Sequence, residues 1–153
     1  MVKKAPMSLL SSRKILIIAW ALVAEELGWR GYLQEKLENK ANEGWVPLEV
    51  GVIWFLWHYH FFIGGTMSVP ILWFLLGCIA ESYGYYQLTK WAKGNILPAS
   101  LWHFSGNLFF NLYALGQNND TTYAIATLQY GLCVLFYLYQ KRINRKRKEN
   151  KIN

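Results

Sequence analysis

The sequence predicts an all-α fold, a polytopic membrane bundle of about five helices. Three observations predict it. Polar punctuation divides the chain into five apolar blocks of roughly 17 to 24 residues, the length a helix needs to cross about 30 Å of hydrocarbon. None of the blocks alternates polar and apolar residues as a barrel strand would. Several Trp and Tyr residues fall near block ends, where amphipathic rings settle at a membrane interface. A soluble bundle of helices apolar all round would have too little polar surface to cover it. Whole-chain figures do not decide the matter: 54% hydrophobic residues and a mean hydropathy of +0.10 lie close to soluble averages. A length of 153 residues suits one domain. The chain therefore divides into a basic N-terminal flank (1–14), a single membrane domain (15–140) and a basic tail (141–153).

The first block runs from about Ile15 to Leu37 and is closed by "LENKANEG". Its "MVKKAPMSLLSSRK" flank and "ILIIAWALVA" core are signal-peptide-like, but the run leads into Glu25 and Glu26 with no convincing cleavage site, so it is expected to be retained. The second, about Val46 to Ile63, ends at Gly64 and Gly65. The third is residues 68–91, the fourth about Ile96 to Leu115, and the fifth residues 123–139. Cys78 and Cys133 sit in apolar stretches without CxxC spacing and read as inert core thiols.

Charge sets the orientation. Most of the net +7 is in the tail, where seven basic residues from Lys141 to Lys151 face the single acid Glu149. A basic run straight after an apolar block reads as a cytoplasmic stop drawn to anionic headgroups. No nucleic-acid-binding module accompanies it, so nucleic acid is not an expected partner. Lys90 and Lys93 also favour the cytoplasm, as do the N-terminal lysines. Five crossings do not allow both ends on one side, so one block is expected not to span, or further chain to precede this one.

Three blocks carry polar sets. In "EELGWRG", Glu26 and Arg30 are four residues apart, the spacing of an ion pair in its favourable order on a helix. Glu25 points about 100° away, which leaves one carboxylate as a candidate general base. The plainer alternative puts both glutamates at the water interface. In "WFLWHYHFF", His58 lies one turn after Trp54, while His60 projects elsewhere; a lone membrane histidine is often simply a hydrogen-bonded one. In "HFSGN", His103 and Asn107 share a face and could donate two hydrogen bonds to one oxyanion, or act as helix–helix glue. Unpaired polar groups would be costly three times over in lipid, whereas one shared interior site satisfies them all. A serine nucleophile at Ser105 is disfavoured, since it diverges from His103 by about 200° on a helix. A transporter finds no support in inverted repeats or broken helices.

The pattern resembles the CPBP group, which comprises the CAAX prenyl proteases and the bacteriocin-processing Abi proteins, with motifs EExxxR, FxxxH and HxxxN. "EELGWR" matches the first at Glu25, Glu26 and Arg30, "WFLWH" the second at His58 with Trp54 in place of Phe, and "HFSGN" the third at His103 and Asn107. The resemblance implies an intramembrane endopeptidase, expected in a bacterial plasma membrane with the C-terminus that the basic tail places in the cytoplasm. Glu25 and His58 would activate water, His103 and Asn107 would stabilise the oxyanion, and Glu26 with Arg30 would orient the site, with Trp54 packing beneath His58 less comfortably than Phe. Zinc or another divalent metal held by Glu25, His58 and His103 is left open, HExxH being absent. Expected partners are membrane lipids and a prenylated or secreted peptide substrate, in CAAX processing or in bacteriocin maturation and self-immunity. The alternative is a non-catalytic scaffold or immunity protein that keeps the fold.

Overall fold

The computed structural model describes residues 12–40, 42–67, 69–113 and 120–150. Among them there is no strand, in agreement with an all-α bundle. The first rod is α1 (Ser12–Glu26), a π-helical stretch (Leu27–Leu33) and α2 (Gln34–Glu38) in continuous succession. After it come α3 (Val46–Ile63), α4 (Ile71–Trp91), α5 (Leu97–Tyr113) and α6 (Asp120–Glu149). These five rods correspond to the five apolar blocks.

Local chemistry sets the ends. Pro47 stands in the first turn of α3, where its missing N–H costs nothing. Gly65 turns the chain out of α3 with φ of +66°. Past α4, Lys93 (φ 55°) and Gly94 (φ 89°) reverse the chain in left-handed conformations. Asn95 Oδ1 then accepts the Leu97 N–H at 2.9 Å, an N-terminal cap for α5. The last helix does not stop where apolarity stops. It continues through the basic residues to Glu149, with Arg145 and Glu149 paired at 2.9 Å one turn apart.

Helix α4 is the centre of the molecule, packed against α3, α5, α6 and the π-helical stretch, while α1 lies on α5. Two glycines allow the close crossings. A Cβ on Gly51 would stand 2.7 Å from Ile79 Cα, and one on Gly84 would stand 2.8 Å from Cys133 Sγ. Cys78 and Cys133 are free and buried.

Alongside its apolar core, this bundle buries polar side chains and exposes large apolar ones. Its interior holds Glu26, Arg30, Gln34, Ser82, Gln87, Thr89 and His103, whereas Leu16, Trp20, Leu56, Ile63, Leu72, Leu128 and Leu135 are exposed. Water would penalise that outer surface, and lipid would not. Among the described residues one helix, Val46–Ile63, is long and apolar enough to cross a membrane by length and composition alone, at a mean hydropathy of 1.3.

Candidate active site

The site starts from the irregularity in the first rod. Widening of the helix over Leu27–Leu33 is the kind of π-bulge that frequently marks functional positions. The 26/30 pairing survives it: Arg30 Nη1 donates to Glu26 Oε1 at 3.0 Å, both side chains fully buried. Arg30 Nη2 donates to Ser82 Oγ of α4 at 3.1 Å. The guanidinium carbon lies 4.6 Å from the Tyr85 ring centre and 5.1 Å from that of Trp54, so the cation is held on aromatic faces as well as by its counter-charge.

Glu26 has a second partner. His103 Nδ1 lies 2.8 Å from the same Oε1, joining α5 to the first rod across 77 positions. The imidazole stacks on Tyr85 at 5.7 Å and meets the Trp54 edge at 5.2 Å. With Nδ1 committed to the carboxylate, the chemistry left to the ring is at Nε2. Glu26 Oε2 and Arg30 Nε are buried without a hydrogen-bond partner among the described residues.

Glu25 faces a different way. It is half-buried and its Oε2 accepts the Trp54 indole N–H at 2.9 Å. The Trp54 backbone carbonyl in turn lies 2.9 Å from His58 Nδ1. A carbonyl can only accept, so Nδ1 carries the proton, and in the neutral ring Nε2 keeps its lone pair. Trp54, standing where the motif has Phe, is 3% exposed and contacts Glu25, Arg30, His58 and His103.

Glu25, Trp54, His58, His103 and Asn107 line one cavity of about 160 Å³, room for several waters at about 30 Å³ each. Three helical segments thus deliver the candidate side chains to one hollow. His60 is not among its lining residues; its Nδ1 lies against the Trp57 carbonyl at 2.7 Å. Ser105 is exposed, its Oγ donating to the Leu101 carbonyl at 2.8 Å.

The structure adds Glu81 of α4 and Tyr130 of α6 to the cavity wall. Glu81 Oε1 accepts from Gln129 Nε2 at 2.6 Å. The sequence carries a signal for it, because Glu81 is the one acid in the third apolar block. A second hollow of about 390 Å³, lined by Ala24, Gly28, Trp29, Tyr32, Ile53 and Trp57, meets the first at Glu25. Among the described residues no group of three or more His, Cys, Asp or Glu side chains is placed to hold a metal ion.

A helical bundle that encloses the Glu26–Arg30 ion pair and His103 and exposes many large apolar side chains, with three motifs lining one cavity, has the features of membrane-embedded proteins that carry an interior site. The family model for type II CAAX prenyl endopeptidases, Rce1-like, matches residues 9–109, and the chain belongs to that family. The matched stretch contains all three motifs. CAAX prenyl protease 2 of Methanococcus maripaludis is 25% identical over 138 residues, which cover 84% of this chain and 50% of the relative. The chain thus spans about half the length of that protein. No solved structure matches.

Proposed function

We propose that the chain is an intramembrane endopeptidase acting on prenylated CAAX-type peptides through a side-chain-activated water. One observation supports the reading: Glu25, His58, His103 and Asn107, from three helices, line one cavity. Family membership supplies the reaction class. The apolar hollow that opens onto Glu25 suits a substrate whose cleaved end carries a hydrocarbon chain.

Water held between Glu25 and His58 gives a proton to Glu25 as its oxygen bonds to the scissile carbonyl carbon. The carbonyl oxygen becomes an oxyanion, facing Asn107 and the Nε2 side of His103. In the imidazolium form His103 donates an N–H there while Glu26 balances its charge. Collapse of the intermediate restores the carbonyl and breaks the C–N bond. The leaving nitrogen takes the proton from Glu25, yielding a carboxylic acid and an amine. Every step uses side chains of this chain and one water.

The test is cleavage of a farnesylated peptide ending in a CAAX sequence by the purified protein in lipid vesicles. Glu25→Gln and His103→Ala are each expected to lower kcat by about 10²- to 10⁴-fold, the usual contribution of a positioned acid–base or oxyanion group. Undiminished cleavage by both variants would overturn the reading. Cleavage of unprenylated secreted peptides in preference to the farnesylated one would move the substrate class to bacteriocin or pheromone precursors.

A further inference from the structure

We propose that Trp54 is a positioning residue for the reaction, its indole N–H fixing the direction in which Glu25 presents its carboxylate to the cavity. The inference rests on the endopeptidase reading above and names a residue whose part in it comes from geometry alone. Where the second motif has Phe, this chain has Trp, and only the indole supplies a donor.

The geometry is specific. Glu25 is half-buried at the boundary between a polar cavity and an apolar hollow, and its side chain has several free torsions. A general base must be held within hydrogen-bond reach of its water. The Trp54 N–H, 2.9 Å from Oε2, anchors one oxygen and leaves Oε1 to the water. Trp54 is itself enclosed on several sides. It is buried, its ring lies beside the Arg30 guanidinium, and its faces and edges meet His58, Tyr85 and His103. Its backbone carbonyl orients His58. One residue of α3 therefore sets the direction of both groups that flank the water, Glu25 through its side chain and His58 through its backbone. Replacing the ring removes the first link and leaves the second.

Loss of a bond that fixes a reacting group lowers the rate of the chemical step more than substrate affinity, and a displacement of about 1 Å can cost about 10²-fold. Trp54→Phe is expected to lower kcat on the farnesylated peptide by about 10- to 100-fold with KM changed less than about twofold. β-(3-Benzothienyl)alanine incorporated at position 54 keeps the bicyclic shape and lacks the N–H, so it separates the bond from the packing. It is expected to match the Phe variant in rate while melting like the unmodified protein.

A second readout does not depend on turnover. In protein labelled with 15N-indole tryptophan, the resonance that disappears in Trp54→Phe is expected to shift in Glu25→Ala. An isostere with full kcat, or an indole signal indifferent to Glu25→Ala, would overturn the positioning role. If Glu25→Gln remained fully active, the assignment of Glu25 as the base would fall, and the role of Trp54 with it. If Glu25→Gln were dead and the isostere fully active, only the role of Trp54 would fall.

Discussion

At the scale of single residues, the interior is organised around one carboxylate. Glu26 Oε1 serves both Arg30 and His103, so removing either partner changes the charge balance of a fully enclosed group. Truncating one member of a buried pair typically costs about 3–5 kcal/mol, because the remaining charge is left uncompensated. Arg30→Met is therefore expected to lower unfolding stability by roughly that amount in detergent, and Glu26→Gln by at least as much, since the neutral amide leaves the buried Arg30 cation without its counter-charge. Thermal melts of the two variants check the order; a Gln variant clearly more stable than the Met variant would contradict it. Ser105→Ala is expected to leave turnover unchanged within about twofold, because that hydroxyl is exposed and engaged with its own helix. A dead Ser105→Ala would reinstate a serine nucleophile. The Glu26–Arg30 contact was legible in the sequence because its four-residue spacing is local. The links from Glu26 to His103, from Trp54 to Glu25 and from Arg30 to Ser82 were not, since each depends on how separate helices dock. Glu81 was passed over although an acid in an apolar block is the same signal that marked Glu25; no second motif residue stood beside it.

At the scale of elements, the apolar blocks located the rods but not their irregularities. A π-bulge adds one residue to a turn without changing which residues are apolar, so Leu27–Leu33 left no mark in the hydropathy pattern. The true length of α6 was hidden for a related reason. A helix needs backbone hydrogen bonds rather than apolarity, and Lys, Arg and Glu are good helix formers, so α6 runs ten residues beyond Tyr139 to Glu149. Close approach of α3 to α4 at Gly51 was equally invisible, because a glycine in a membrane helix is unremarkable until its neighbour is known. That crossing matters to function, since α3 carries Trp54 and His58 one and two turns past Gly51. Gly51→Val would drive its Cβ into the Ile79 backbone, which cannot rotate aside. Overpacking of this kind typically costs about 1–3 kcal/mol, and the expected result is a lower melting temperature together with loss of cleavage. Gly28→Ala meets open space and serves as the matched control for stability.

At the scale of the whole molecule, the bundle has two charge systems with separate tasks. The inner one is enclosed and paired; the outer one is the exposed basic end of α6, with Lys141, Arg142, Arg145, Lys146 and Arg147 facing solvent. Because the tail is helical, these charges sit on a rod continuous with the apolar part of α6 rather than on a loose strand. Each basic residue near an anionic surface is worth about 1 kcal/mol, so five on one helix are expected to hold that end of the rod at the headgroups of a charged leaflet. Replacing all five with Gln is therefore expected to randomise insertion while leaving the helices intact. With a cysteine appended at the C-terminus of protein made in cells, a membrane-impermeant thiol reagent added outside should leave the natural chain unlabelled and label a substantial fraction of the Gln variant. Equal protection of both would mean that orientation is fixed elsewhere, with Lys90 and Lys93 at the end of α4 as the next charges to replace. Far-UV circular dichroism should be unchanged, since Gln and Lys have similar helix propensity. Labelling without helix loss would then assign the tail to topology and the interior pairs to chemistry.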